Sequence, residues 1–268
     1  MNGFNPKLRN DNLAWGMSIR FGLKIWRRNF RQFRRSLVLS LVWTVLEPSL
    51  VLTAMVFGLG AFVSKVEGVS YAEFYFPALL CISSMLIAFF AATYDNFSKL
   101  TYQNIFSTQI LAQIEPREIV LGEILWAASK GTISAIGVAV IGAVFGLVDS
   151  WRILPALGFV FISSLLFAAF GFWIAMVVRN YDQIIFPTSG LVIPMSLFCG
   201  TYFPIDRLPY GLNYALYAFP LTHAVRAVRH VLVGGFDWWM ILNMSYILII
   251  FLIFVRAGHR RLTSQLLD

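Results

Sequence analysis

The sequence predicts an all-α membrane protein. It has six transmembrane helices, an N-terminal amphipathic interfacial helix, and an outer re-entrant helical hairpin between spans five and six. Three observations predict it. Six apolar runs approach the roughly 20 residues that a helix needs to cross a bilayer. The chain is 59% hydrophobic and 13% charged, where a soluble domain has about 25% charged residues. The net charge of +8 lies wholly in the first 35 residues, where nine Lys/Arg face one acid, Asp11. A basic amino end holds itself on the cytoplasmic side.

Residues 13–35 read as an amphipathic helix. Trp15, Ile19, Trp26, Phe30 and Phe33 recur at helical spacing, with Arg20, Lys24, Arg27, Arg31 and Arg35 on the other side. Such a helix lies in the membrane surface, rings toward the tails and cations toward anionic headgroups; a solvated juxtamembrane anchor is the plainer alternative. The spans follow at 37–63, 74–93, 124–148, 153–178, 184–199 and 238–255. The first is interrupted by Glu47-Pro48, and the short fifth carries Pro187 and Pro194. Two units result: a cytoplasmic terminus, 1–35, and a six-span domain, 36–268. Alternating loops then place fifteen Lys/Arg inside and five outside, with both termini cytoplasmic in a bacterial inner membrane.

Two loops are too structured to be connectors. The inner loop, 95–123, has a polar run, 101–113, suited to one or two short helices; Pro116 stops it and Arg117-Glu118 opens the next helix. The outer loop, 200–237, is long and apolar, broken at Pro204, Pro209 and Pro220, with an amphipathic stretch from Leu221 to Val233. It is expected to dip back into the bilayer under cover of neighbouring protein. A seventh span is the alternative, and His223, Arg226 and Arg229 argue against it.

Glu47 and Lys130 are the sharpest polar features. Each lies roughly 15 Å from its cytoplasmic helix end at 1.5 Å per residue. An unpaired charge there costs about 2.5–3.5 kcal/mol. Ser36, Ser40, Thr44 and Glu47 share a face of the first span; Glu123, Ala127, Lys130, Ser134 and Gly137 share a face of the third. A Glu47–Lys130 pair joining those faces is one expectation; separate snorkelling of each charge is the other. The aromatics Tyr71, Phe74, Tyr75, Phe76, Trp238 and Trp239 read by default as interfacial belts; a stacking surface for sugar rings or an apolar groove for a lipid tail is the functional alternative.

Several chemistries are missing. There is no Gly-x-x-x-x-Gly-Lys-Ser/Thr loop, His-Glu-x-x-His, Cys-x-x-Cys or Gly-x-Ser-x-Gly. Cys81, Cys199 and the three histidines form no metal-ligand spacing. The basic residues run directly into a span, which argues for lipid rather than nucleic acid. No catalytic residue, metal or cofactor is expected in the chain. A conduit driven by a partner remains. Rival readings are a membrane-embedded lipid-linked transferase, whose inner acids Asp95, Glu118 and Asp182 are however scattered, and a secondary transporter, whose usual inverted repeat is not seen.

Arg35-Ser36 followed by Leu46-Glu47-Pro48 resembles the opening of the first span in ABC-2-type exporter permeases. The stretches VEGVSY (66–71), IVLGEILWAASKG (119–131), NYDQIIFPTSGLVIPMSLFCGTYFPIDRL (180–208) and FPLTHAVRAV (219–228) resemble the nodulation-factor, or lipooligosaccharide, export branch. The basic first 35 residues are closer in style to capsule and O-antigen permeases. The resemblance implies a homodimer with two separate cytoplasmic ATPase subunits, which hold the ATP and Mg. It implies a lipid-linked saccharide as substrate and periplasmic export partners. Drug or lipid efflux is the nearest alternative. It further implies an ATPase-coupling loop with Thr101, Gln103, Gln109, Gln113, Pro116, Arg117 and Glu118, supported by the interfacial helix through Trp15, Trp26, Arg27 and Arg31. Gly200, Phe203, Pro204, Pro209, Pro220, His223 and Arg226 fall in the outer gate. Glu47, Lys130, Ser40, Thr44 and Glu123 are the candidate conduit residues.

Overall fold

A computed structural model describes residues 11–35, 37–63, 65–148, 151–208, 211–233, 235 and 238–267, and for 11–21, 39, 40, 43 and 267 the backbone only. Ser36 and Pro209, and the side chains of Trp15 and Ser40, therefore lie outside the described residues.

Helix α1 (Asp11–Arg35) covers the predicted amphipathic segment. Helix α2 (Leu37–Ala54) continues through a π-helical turn, Met55–Leu59, into the single turn α3 (Gly60–Phe62). A tight turn follows. Glu67 and Gly68 both have positive φ, 52° and 87°, and Val66 and Val69 bridge across them. Two left-handed residues reverse the chain in a two-residue hairpin, and glycine adopts one of them without strain. Ser70 then caps α4 (Tyr71–Phe90): its Oγ accepts from the Glu73 N–H, and the Glu73 carboxylate accepts from the Ser70 N–H.

A second π turn, Ala91–Asp95, leads into α5 (Asn96–Thr101), then α6 (Ile105–Leu111). Helix α7 (Pro116–Val144) starts one residue before Arg117-Glu118, at Pro116 itself, since a first-turn proline forfeits no helical bond. Helix α8 (Ile153–Val177) matches the fourth predicted span almost to the residue.

The fifth predicted span is not one regular helix. A 3-10 turn, Tyr181–Ile184, passes into α9 (Ile185–Pro187), a π turn, Thr188–Val192, and α10 (Ile193–Phe198). Pro187 and Pro194 supply no N–H, so the hydrogen-bond register changes around them. Beyond it lie a 3-10 turn, Ile205–Arg207, then α11 (Leu212–Tyr217), α12 (Pro220–Val233) and α13 (Trp238–Leu267).

Among the described residues, five helical stretches are long and apolar enough to cross a membrane: Thr44–Phe62, Tyr71–Thr101, Pro116–Val144, Ile153–Val177 and Trp238–Leu266. They are not equally covered. The α4 stretch is 78% buried and the α2 stretch 11%, so α4 is the axis of the bundle and α2 its outer wall. α4, α7 and α8 pack mutually, and α13 lies along α8. Small residues permit this. A Cβ added at Gly131 of α7 would stand 2.5 Å from the Ser84 carbonyl of α4.

The core has two parts. One fills the middle and the hairpin end, around Tyr75, Phe89, Phe167 and Val228. The other gathers Ile25, Phe97, Phe106, Ile119, Phe172, Met176 and Leu262, so α1, α5, α6 and the last turns of α8 and α13 share one end. That is the basic end of the molecule, with the basic α1 and the cations Arg256, Arg260 and Arg261.

A candidate coupling junction at the basic end

Glu123 lies two turns into α7 and is 1% exposed. A carboxylate out of water needs donors for its lone pairs. Three arrive from two other helices. Arg28 of α1 donates Nη2 to Oε1 at 3.0 Å, Asn29 of α1 donates Nδ2 to Oε2 at 2.8 Å, and Lys99 of α5 donates Nζ to Oε2 at 2.6 Å. One carboxylate thus fastens the amphipathic helix and the loop helix to a long helix. Charge-assisted bonds of this kind are the strong ones.

The helices come close enough because of Gly122. A Cβ there would meet the Ile25 Cβ at 2.6 Å and the Gly22 carbonyl at 2.7 Å. Around this contact, Trp26 donates Nε1 to the Ser129 hydroxyl at 3.0 Å and stacks on Phe30, while Trp126 meets Trp26, Phe30 and Phe33 edge-on. Trp26, Phe30 and Phe33 of α1 therefore rest on α7, and the cations Arg27 and Arg31 stay exposed. The sequence expected the rings to face the tails; a neighbouring helix supplies the apolar surface instead.

Lys130, seven residues on, shares the Glu123 face of α7. Its ammonium binds Asp95 Oδ2 at 2.9 Å, at the end of the π turn after α4. It does not meet Glu47. Glu47 is exposed on α2, while Ser134 of α7 reaches the same helix only at the Thr44 carbonyl, 2.7 Å from its hydroxyl. The expected Glu47–Lys130 pair is replaced by one with Asp95, the last residue of the π turn.

The loop below the junction is built and exposed. Phe106 is buried against Phe172, and Gln109 is buried beside it. Thr101, Gln103 and Gln113 face out, as does Leu111 at 85% exposure. Left-handed Asn104 and Gln113 turn the chain at either end of α6. Pro116 and Arg117 are half-buried; Arg117 bonds the Glu115 carboxylate, and Glu118 is buried and accepts from the Glu115 N–H at 3.0 Å.

The opposite end holds a second polar knot. Arg229 of α12 donates Nη2 to the Phe74 carbonyl at 3.1 Å and to the Gly200 carbonyl at 3.0 Å, and lies 4.0 Å over the Phe74 ring. Gly200 has φ of 72°, a turn that favours glycine. Phe203 meets Phe198 edge-on and Pro204 is buried. Pro220 opens α12, His223 contacts Asn243 of α13 at 2.6 Å, and Arg226 lies exposed over Tyr217 at 5.1 Å. The apolar side of α12, Leu221, Ala224, Val225 and Val228, is buried on α4, α8 and α13.

Sequence reading missed Arg28, Asn29, Lys99, Asp95 and Arg229 as partners. The available signal was Glu123, a carboxylate on the same helical face as Lys130, which needs donors of its own.

The family model described as ABC-2 type transporter matches residues 23–233, which include both knots. Nodulation protein J of Rhizobium leguminosarum bv. trifolii is 30% identical over 79% of this chain and 81% of its own length. The protein of the same name from bv. viciae is 29% identical over 79% and 82%. The inner membrane transport permease YadH of Escherichia coli K12 is 22% identical over 85% and 89%.

Proposed function

The chain belongs to the ABC-2 type transporter family, and from that premise we propose that it is the membrane subunit of an ATP-driven exporter of a lipid-linked saccharide. In this reading it sits in a bacterial inner membrane with the basic end in the cytoplasm, in keeping with the positive-inside rule. Two copies pair and two separate ATPase chains, carrying ATP and Mg, dock on the α5–α6 loop. The broken 181–198 segment completes a sixth span. The 200–233 segment forms the outer re-entrant gate.

One observation carries the reading: the Glu123 junction. A push on α5 cannot be absorbed by bending the loop, because Lys99 transfers it to α7 and, through Arg28 and Asn29, to α1. A partner that moves the loop moves the spanning helices. The saccharide substrate is supported by the likeness of residues 180–208 to lipooligosaccharide permeases.

The test is purification of the detergent-solubilised chain with its natural companions. A stoichiometric phosphate-loop ATPase should accompany it, and its hydrolysis should rise when a glycolipid is added. Stimulation by drugs or simple lipids alone moves the substrate to efflux. Vectorial transport by the chain with no nucleotide-hydrolysing subunit overturns the proposal.

A further inference from the structure

Beside the junction, α1, α5, α7, the π turn after α4 and the turn after α8 surround a cleft of about 490 Å³. One wall is aromatic. Tyr181 stacks on Tyr94 at 5.9 Å and on Tyr102 at 5.7 Å, with planes 17° and 16° apart, and Phe97 braces it edge-on at 4.8 Å. The three tyrosines come from three different elements, yet are 38–61% exposed. A stack serving only the core would be buried; this one offers ring surface to whatever enters.

The facing wall is polar. Lys130 gives one of its three N–H donors to Asp95, which leaves two. The Gln32 amide lines the same space, as does Gln103, whose Nε2 donates to the Ser98 hydroxyl at 2.9 Å. The charged side chains that line the cleft are Asp95, Lys99 and Lys130, and Lys99 is taken up by the buried Glu123, so the spare donors of Lys130 are what the cleft offers an anion. Flat rings suit the C–H face of a pyranose, amides suit its hydroxyls, and a spare ammonium suits a phosphate.

We infer that this cleft binds a phosphorylated sugar, with the ring against Tyr94 and Tyr181 and the phosphate at Lys130. In the exporter proposed above, it receives the head group of the lipid-linked saccharide before transport, and that role rests on the proposal. The binding chemistry itself does not. A nucleotide also combines a flat group with phosphate, and the test includes it.

The test uses the full chain in lipid nanodiscs, with saturation-transfer NMR of glucose 1-phosphate, glucose, inorganic phosphate and uridine monophosphate. Glucose 1-phosphate should bind more tightly than the other three. Tyr181→Phe keeps the ring and should change its affinity less than twofold, whereas Tyr181→Ala should weaken it about tenfold. The charge-neutral double change Lys130→Gln with Asp95→Asn should reduce glucose 1-phosphate to the affinity of glucose. A polyprenyl phosphoglucose embedded in the nanodisc should displace glucose 1-phosphate. If it does not, the site serves a free sugar phosphate and its role in receiving a lipid head group falls. Wild-type affinity in a folded Tyr181→Ala chain overturns the site, as does tighter binding of the nucleotide or equal binding of inorganic phosphate. Failure to find an ATPase partner would remove the exporter reading and leave these binding results standing.

Discussion

At the residue scale, the Glu123 carboxylate does the most with one side chain. It accepts from three donors on two helices while 1% exposed. Removing one partner of a buried ion pair costs about 3–5 kcal/mol, because the other charge is stranded. The Lys99 arm falls in that class, with a side chain 10% exposed; the Arg28 arm is 40% exposed, is screened, and adds little. Glu123→Ala should therefore lower the melting temperature markedly in a fluorescence-detected unfolding assay. Glu123→Leu combined with Lys99→Met should recover most of the loss. Additive losses in the double variant would mean that the two side chains are not coupled.

At the element scale, the hairpin of α11 and α12 hangs on Arg229. Its guanidinium joins α12 to the first turn of α4 and to the Gly200 turn, and both acceptors are backbone carbonyls. Arg229→Leu leaves those carbonyls without this donor while keeping the helix apolar. The hairpin should loosen without the bundle unfolding. Cys199, adjacent to Gly200 and fully buried, reports this directly. Maleimide labelling of Cys199 in the Arg229→Leu chain should rise several-fold over wild type, while the melting temperature of the bundle changes little. A large fall in melting temperature alongside the labelling would assign the effect to general unfolding instead.

At the scale of the whole molecule, the arrangement has polarity. The cations of α1 and α13 gather with the α5–α6 loop at one end, and Arg229 and the hairpin sit at the other. Leu111 and Tyr214, both exposed, mark the two ends. Cysteines placed at Leu111 and at Tyr214, in a chain with Cys81 and Cys199 replaced by serine, should label from opposite sides of sealed vesicles. Leu111→Cys should react only from the cytoplasmic side. Labelling of both from one side would exclude the topology that the exporter reading requires.

The class and most of the elements were legible in the sequence because each rests on local physics. Apolar length marks α4, α7, α8 and α13, Pro116 marks the start of α7, and the paired phases of rings and cations mark α1. The family was legible too, in short stretches such as 119–131 and 180–208. What tertiary structure alone decided was who meets whom. Lys130 meets Asp95, at the end of a π turn invisible in composition, and not Glu47. Tyr181 lies far along the chain from Tyr94 and Tyr102 and stacks on them only once the turn after α8 is docked beside α5. Hydrophobic period reports which side of a helix avoids water; the partner of a buried charge depends on the angle and depth at which helices pack, and that is a property of the assembled bundle.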